Sequence, residues 1–227
     1  MVDSLRRLLS SSRCLLCAGP AAGLICPGCH DALPWNRRAC VRCARPVASP
    51  EIAVCATCMR QPPPFDAAVT AFVYAAPVDR AVQNLKYGAD FLAARWLGEA
   101  LAGTLRTRAP LLPELLIPVP LHVGRLRWRG YNQAQEIART IARRTGLAPG
   151  PHLARRVRAT EDQIGKTAAE RRRNVRGAFA VEAGVKGRRV ALLDDVMTTG
   201  STLAELARAC RRAGAVSVEA WAVARAG

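Results

Sequence analysis

Eight of the nine cysteines form four C-x-x-C pairs within the first 58 residues, and this spacing constrains the fold more than any other feature. Two thiolates separated by two residues can bind one tetrahedral ion while the intervening backbone donates hydrogen bonds to sulfur. Four such pairs supply eight ligands, which is enough for two zinc sites of four cysteines each. The predicted ligands are Cys14, Cys17, Cys26, Cys29, Cys40, Cys43, Cys55 and Cys58.

Two other uses of paired cysteines fit this chain less well. Structural disulfides are rare in the reducing cytosol, where we expect the protein to reside. A redox protein would need one C-x-x-C pair, whereas this chain has four in series. Chain order groups the first four cysteines on one ion and the last four on the other, although interleaved pairing also satisfies the spacing. Because the region is too short to fold on apolar burial alone, bound zinc would supply its folding energy.

A proline-rich stretch divides the chain into two parts. The sequence QPPPF at 61–65 is stiff and disfavours helix, so we predict a linker at 61–66. Residues 1–60 are then predicted to hold an N-terminal helix and a double zinc ribbon. Residues 67–227 are predicted to form a larger second domain.

The second domain alternates strand-like and helix-like segments. Apolar, β-branched runs predict strands at 67–75, 115–119, 177–181, 189–193 and 216–222. Periodic apolar positions predict helices at 78–86, 93–106, 132–144 and 201–213. The basic stretch 153–176 has little periodicity and is predicted to be a mobile loop. This alternation predicts an α/β fold with a mostly parallel sheet flanked by helices, which binds ligands at the carboxyl ends of its strands.

The segment LLDDVMTTGSTL at 192–203 has the order strand, acidic pair, small hydroxylated turn and helix. Asp194 and Asp195 would lie at the edge of the sheet, where two carboxylates can accept hydrogen bonds from vicinal ribose hydroxyls. The unpaired N–H groups at the start of the following helix favour a phosphate dianion. The predicted phosphate-binding residues are Thr198, Thr199, Gly200, Ser201 and Thr202.

A capped helix is the simpler alternative for this segment. Thr202 and Glu205 fit a capping box, in which each residue satisfies an N–H group of the first helical turn. A cap, however, requires neither the acidic pair nor the other small residues. The pattern therefore favours a site for a ribose phosphate.

The chain is strongly basic, with 34 Lys and Arg against 17 Asp and Glu and a formal net charge of +17. Such a surface attracts nucleic acid, a phosphate-rich ligand or an anionic membrane, although an arginine-rich solvated surface explains the charge equally well. Trp128 lies between Arg127 and Arg129 and is compatible with stacking on single-stranded DNA. The sequence contains neither an apolar membrane span nor the apolar core of a signal peptide, so a cytoplasmic protein is expected.

The motif DDVMTTGST resembles the site for phosphoribosyl pyrophosphate (PRPP) in type I phosphoribosyltransferases. The whole chain resembles the ComF family, which joins a double zinc ribbon to that domain. The further matching elements are LKYGAD at 85–90, PVPLH at 118–122, RLRWRGYNQA at 125–134, T-x-x-Q at 160–163, R-x-x-N at 171–174 and GAF at 177–179. The resemblance implies a type I phosphoribosyltransferase fold behind an N-terminal double zinc ribbon.

The resemblance also implies roles for the polar residues. Asp194 and Asp195 would hold the ribose hydroxyls, partly through Mg²⁺, while the hydroxylated turn holds the five-prime phosphate. Arg125, Arg127 and Arg129 would neutralise pyrophosphate, since arginine binds such a concentrated charge well. The predicted catalytic set is Asp194, Asp195, Arg125 and Arg127.

Two further PRPP contacts, Gln163 and Arg171, are implied by their place in the segment that covers PRPP in related enzymes. Thr198 stands where 6-oxopurine enzymes of this fold have an aspartate that handles the proton of the base. This difference argues against hypoxanthine or guanine as the acceptor, and no other residue names the acceptor.

Three functions are compatible with these features. The first is transfer of phosphoribose, a glycosyltransferase reaction, in a protein that handles DNA during natural transformation, the process with which ComF proteins are associated. The second is a non-catalytic module that senses PRPP or binds single-stranded DNA. The third is a zinc-ribbon adaptor for competence or DNA-processing proteins.

Overall fold

The computed structural model describes residues 12–108, 112–159 and 167–227. The helix predicted at the N-terminus lies outside these residues. The cysteine-rich region has little regular structure and consists of short elements around the C-x-x-C pairs. These are the antiparallel pair β1 (Ser12–Arg13) and β2 (Pro20–Ala21), and the short helices α1 (Pro27–Asp31) and α2 (Ala56–Arg60).

A sheet of five parallel strands forms the centre of the second domain. Its members are β3 (Ala67–Val73), β4 (Leu115–Pro118), β5 (Ala148–Pro149), β8 (Arg189–Met197) and β9 (Ser217–Arg225). The spatial order is β3-β9-β8-β4-β5. Two short strands, β6 (Ala154–Arg156) and β7 (Phe179–Val181), pair antiparallel outside this sheet. The mostly parallel α/β architecture predicted from the sequence is confirmed.

Helices cover both faces of the sheet. They are α3 (Val78–Tyr87), α4 (Phe91–Arg106), α5 (Val123–Arg129), α6 (Gln133–Thr145), α7 (Ala168–Val175) and α8 (Ser201–Arg212). On one face, Leu97 and Ile137 pack in a buried cluster with Trp221 of β9. On the other face, Leu206 of α8 packs with Leu192 of β8. The two long central strands contribute to both clusters because side chains alternate along a strand.

The strand β8 extends four residues beyond its predicted end, and these residues carry the acidic pair. Aspartate is depleted in strands, so the apolar pattern indicated an end at Leu193. The structure continues the parallel pairing with β9 as far as Met197, which lies opposite Arg225. The carboxylates are therefore fixed on a strand rather than on a loop.

The prediction of a mobile loop at 153–176 is wrong for the residues of this range that the structure describes, 153–159 and 167–176. Ala154 pairs with Val181, so the stretch begins with strand β6, and it ends with helix α7. Strand pairing across such a distance leaves no local pattern in the sequence. Helix α7 did leave a signal, because Thr167 and Glu170 form a capping box at its start.

The cysteine-rich region packs directly on the sheet. Trp35 pairs with Phe72 of β3 through an isolated bridge, and the two ring centroids lie 4.6 Å apart. At the end of the proline-rich stretch, Phe65 is 3% exposed and the N–H of Asp66 donates to the Val218 carbonyl. Every helix among the described residues is too short or too polar to cross a bilayer.

Candidate functional site

A cavity of about 660 Å³ opens where β8 ends and α8 begins. Residues from α3, α5, β6 and β8 also contribute to its wall. The cavity brings together seven of the residues predicted from the sequence. These are Asp194, Asp195, Thr198, Gly200, Ser201, Thr202 and Arg125.

The turn between β8 and α8 is built to leave the helix start accessible. Gly200 is the residue before the first helical position and has a φ of +74°, a left-handed conformation that glycine adopts without strain. Having no side chain, it places no cap over the first turn of α8, and the Thr199 hydroxyl accepts a hydrogen bond from the N–H of Ser201 at 3.3 Å. The hydroxyls of Thr199 and Ser201 lie 2.7 Å apart and add polar groups beside this helix start. Helix N-termini of this kind attract phosphate.

The capping box considered for this helix is not formed. Glu205 turns away from the start of α8, and its carboxylate accepts a hydrogen bond from the N–H of Gly177 at 2.9 Å. The same carboxylate pairs with Arg208. The predicted capping box of Thr202 with Glu205 is therefore wrong, and it is Thr199 that accepts from an N–H of the first helical turn.

The two aspartates at the end of β8 have different protonation behaviour. Burial, followed by the neighbouring charge of Asp195, raises the pKa of Asp194 to about 7. Burial opposes ionisation of Asp195 as well, but the charge of Lys86, its hydrogen bond and the hydrogen bond from the Val196 N–H together hold the pKa of Asp195 below its ordinary value. Asp195 is thus ionised at neutral pH, whereas the raised pKa of Asp194 lies close to neutral pH.

Lys86 is a residue of the candidate site that the sequence reasoning missed, as is Arg156. Lys86 lies at the end of α3, and its Nζ is 2.9 Å from Oδ2 of Asp195, whose side chain is 5% exposed. The carboxylate raises the pKa of Lys86 although burial alone would lower it. Two signals were available: Lys86 lies in the LKYGAD motif, and it is one of only three lysines in an arginine-rich chain.

Arginines supply positive charge around the acidic pair. Arg125 and Arg129 line the cavity from α5, and Arg156 lines it from β6. Residues four apart lie on the same face of a helix, which explains why Arg125 and Arg129 both reach the cavity. Arg127, two positions from each, is exposed and does not belong to the cavity wall.

The remaining predicted PRPP contacts either lie away from the first cavity or fall outside the residues that the structure describes. Thr199 lines a second cavity, on the far side of the turn. Gln163 lies outside the described residues, and Arg171 belongs to helix α7.

The second cavity, also about 660 Å³, lies between the second group of cysteines and the turn at 198–202, which is called the phosphate turn after its predicted ligand. Its wall includes Cys43, Cys58 and the proline-rich stretch. Five arginines with partly or fully accessible side chains add a strongly positive lining. They are Arg45, Arg173, Arg176, Arg208 and Arg212.

The eight paired cysteines form two clusters that follow chain order. Cys14, Cys17, Cys26 and Cys29 form the first site, and Cys40, Cys43, Cys55 and Cys58 form the second. Within each site all four sulfur atoms lie within 4.8 Å of one another. Sequential grouping is therefore correct, and interleaved pairing is excluded.

The geometry of both clusters fits zinc. Four sulfurs at about 2.3 Å from a tetrahedral ion lie about 3.8 Å apart. The observed separation is 3.7 Å between Cys17 and Cys26 and again between Cys43 and Cys55. Backbone N–H groups donate to sulfur in matching places, from Cys26 to Cys14 and from Cys55 to Cys40, both at 3.3 Å. The chain thus carries two structural zinc sites.

Cys210, the ninth cysteine, lies on the buried face of α8 and is fully enclosed by apolar residues. Burial raises the pKa of its thiol to about 12, so it remains protonated. This agrees with the sequence interpretation of a small core residue.

Comparison with known proteins identifies relatives along nearly the whole chain. Residues 5–62 match the family model of the double zinc ribbon domain. The DNA utilization protein YhgH of Salmonella typhi is 35% identical over 220 residues, covering 93% of this chain and 96% of the relative. Competence protein F of Haemophilus influenzae is 36% identical over 179 residues, covering 76% of this chain and 78% of the relative.

Solved structures give looser likenesses. The glutamine PRPP amidotransferase from B. subtilis matches with a TM-score of 0.39 and 21% identity, over 56% of this chain and 26% of that chain. A purine phosphoribosyltransferase from Pyrococcus horikoshii matches with a TM-score of 0.33 and 20% identity, over 55% of this chain and 67% of that chain.

Proposed function

We propose that this chain, which belongs to the ComF family together with competence protein F and the DNA utilization protein YhgH, binds PRPP and acts in the handling of DNA. The name of the DNA utilization protein supports the connection with DNA. A cytoplasmic location is part of the proposal, because thiolate zinc sites persist in a reducing compartment.

One observation carries the proposal: a single cavity joins an acidic pair, a helix start and several cations. A five-prime phosphate fits the helix start, because the positive end of the helix and the hydroxyls beside it attract a phosphate dianion. A ribose with two vicinal hydroxyls fits Asp194 and Asp195, since carboxylates accept hydrogen bonds from both. Arg125, Arg129 and Arg156 then face the remaining charge, which in PRPP is pyrophosphate.

Magnesium fits the donor set through Asp194 in particular. Mg²⁺ prefers carboxylate and phosphate oxygens and commonly uses only one or two protein ligands. Asp195 already pairs with Lys86, which leaves Asp194 as the carboxylate that can share the ion with PRPP. A bound Mg²⁺ would neutralise charge on the leaving pyrophosphate.

Transfer of phosphoribose is the reaction that this arrangement suits. The bond between the anomeric carbon and pyrophosphate breaks, and pyrophosphate leaves with the electron pair. A lone pair of the acceptor forms the new bond, and the acceptor loses its proton to solvent. The arginines stabilise the departing charge, and the acidic pair stabilises the ribose as it becomes cationic.

Calorimetric titration of PRPP with Mg²⁺ tests the proposal. Wild-type protein is expected to bind, and the double variant Asp194→Asn, Asp195→Asn is expected to lose binding while keeping its circular-dichroism spectrum. Asp79→Asn, in the first turn of α3 and outside the cavity wall, is the matched control and should bind as wild type does. Equal affinity of wild type and the double variant would show that the acidic pair is not the site.

Single-stranded DNA is the second candidate ligand, favoured by the arginine lining of the second cavity. Arginines contact phosphates, and Trp128, which is 74% exposed in the wall of the first cavity, offers a stacking surface for a base. We expect binding of a labelled oligonucleotide to fall steeply with salt. Exchanging Arg208 and Arg212 for glutamine should weaken it, whereas Arg139→Gln, on the exposed face of α6, should not. Salt-independent binding, or equal loss in all variants, would exclude this surface.

A further inference from the structure

Arg225, at the end of the last strand, connects the second zinc site to the phosphate turn. The residue is 2% exposed, and its Nε donates to the carbonyl of Cys43 at 3.0 Å. Its Nη1 donates to the carbonyl of Met197 at 2.9 Å and also contacts the carbonyls of Thr198 and Ala226. One side chain therefore holds a zinc ligand's backbone and the first residues of the turn together.

The chemistry of guanidinium makes this connection rigid. Arginine presents its donors in a planar fork of fixed geometry, so acceptors on two segments are held at a fixed separation. A buried cation that loses an acceptor costs more than the bond itself, because its donor cannot reach water. The backbone of Cys43 and the backbone of Met197 are therefore expected to move together.

The second zinc site is also fastened to the sheet on either side of Cys43. The carbonyl of Val41 accepts from the N–H of Ala68 at 2.9 Å. The carbonyl of Ala44 accepts from the side-chain amide of Asn36 at 2.8 Å, and the same amide donates to the hydroxyl of Thr70 in β3 at 2.8 Å. The main-chain carbonyls of this segment are thus held in place by the hydrogen bonds that they accept, and zinc coordination by Cys40 and Cys43 determines where those carbonyls lie.

The first zinc site meets the second domain differently. Leu16, Leu24 and Ile25, which lie among its cysteines, pack against the apolar cluster that contains Trp96 of α4. Its contacts are apolar and lie on another face of the sheet from α8. The two zinc sites therefore form a natural comparison within one chain.

We propose that Arg225 is a positioning residue through which zinc in the second site holds the phosphate turn in its binding conformation. Loss of that zinc lets the Cys43 segment relax, since the metal supplies most of its folding energy. Arg225 then loses an acceptor, and the turn at 198–202 loosens. The first zinc site has no part in this coupling. The consequence for affinity rests on the proposed binding of PRPP, whereas the consequence for the turn does not.

Two matched cysteine variants of the full chain test the coupling. Cys26 and Cys55 occupy equivalent places, because each directly precedes a short helix. The sulfur of each lies 3.7 Å from the sulfur of the second cysteine in the preceding pair. The N–H of each donates to the sulfur of the first cysteine of its own site. Cys26→Ser and Cys55→Ser should each reduce the zinc content from two ions to one. Only Cys55→Ser should accelerate hydrogen–deuterium exchange of the backbone amides at 198–202.

Three arginine variants test the residue itself. Arg225→Met removes the fork, and Arg225→Lys keeps the charge and should restore part of the protection. Arg108→Met is the control, because Arg108 forms a bidentate pair with Glu219 near the opposite end of the same strand. Arg108→Met should lower the melting temperature without changing exchange at 198–202, which separates positioning from general stability.

Binding of PRPP with Mg²⁺ is measured on the same samples. A coupling of ordinary size weakens binding about tenfold in Cys55→Ser and Arg225→Met and leaves Cys26→Ser near wild type. Equal exchange at 198–202 in the two cysteine variants, or unchanged exchange in Arg225→Met, would overturn the inference. If wild-type protein fails to bind PRPP, the proposed function fails and the exchange data alone decide the coupling.

Discussion

Titration of Asp194 should control the affinity for PRPP across neutral pH. Its pKa is raised to about 7, first by burial and then by the charge of Asp195. The folded protein therefore holds a proton on Asp194 below that pH and releases it above. Only the ionised carboxylate accepts hydrogen bonds from both ribose hydroxyls or binds Mg²⁺, so affinity should rise with pH.

The magnitude follows from the ionised fraction of Asp194. With a pKa of about 7, roughly one-tenth of the protein is ionised at pH 6 and roughly nine-tenths at pH 8. Affinity should therefore rise about tenfold over this interval. Asp195 contributes no such change, because Lys86 keeps it ionised throughout.

A matched variant separates this effect from titration of the ligand. Phosphate groups of PRPP also lose protons near pH 6, which would change the affinity of any variant. Asp194→Asn mimics the protonated carboxyl at every pH and reports that contribution alone. The ratio of its dissociation constant to that of wild type should increase about tenfold between pH 6 and pH 8.

Isothermal calorimetry at several pH values measures the ratio, with the buffer matched for protonation enthalpy. Asp195→Asn provides a second check: it removes the repulsion, so the pKa of Asp194 should fall and the rise in affinity should move to lower pH. A ratio that stays constant from pH 6 to pH 8 would refute the reasoning. It would mean that Asp194 does not change charge in this interval or does not contact the ligand.

Three further perturbations test the site and the core, and one measurement tests the metal sites. Lys86→Met leaves Asp195 buried without its partner, which should cost about 3 kcal/mol in denaturant unfolding and weaken PRPP binding; an unchanged midpoint would contradict the ion pair. Gly200→Ala forces a left-handed conformation on a residue with a side chain, costing about 1–2 kcal/mol and lowering affinity, with crystal or exchange data showing a displaced turn. Trp221→Ala empties the centre of the core and should destabilise by about 3–5 kcal/mol, provided unfolding remains two-state. Metal analysis should find two zinc ions per chain, and a count near zero in reducing buffer with the ribbon still folded would disprove both sites.

Local patterns in the sequence predicted much of the fold. The C-x-x-C spacing identified all eight zinc ligands, because two cysteines three positions apart meet one ion whatever the rest of the chain does. The helix predicted at 132–144 is observed as Gln133–Thr145 and ends at Gly146, which adopts a left-handed conformation. The phosphate turn was also predictable from the sequence, because the strand, the small residues and the start of the helix follow one another directly along the chain.

Contacts between distant segments required the tertiary structure. Three features depend on how separate elements pack. They are the sequential grouping of the cysteines, the ion pair of Lys86 with Asp195, and the place of Arg156 in the cavity wall. Arg127 and Arg129 looked equivalent in the sequence, but only the latter lies on the face of α5 that meets the cavity. Spacing along the chain cannot specify such choices when several arginines are near.

The sequence by itself determined which groups this protein uses: eight thiolates, two carboxylates and a hydroxylated turn before a helix. The tertiary structure decided how those groups behave. Burial beside an ionised neighbour shifts the proton equilibrium of Asp194, and the Lys86 ammonium keeps Asp195 charged. Pairing of β8 with β9 to their ends brings Arg225 against the turn and the second zinc site together. The identity of a residue fixes which chemical group it supplies. The protonation state and hydrogen bonding of that group depend on neighbouring charges and dipoles, which come close only in the folded chain.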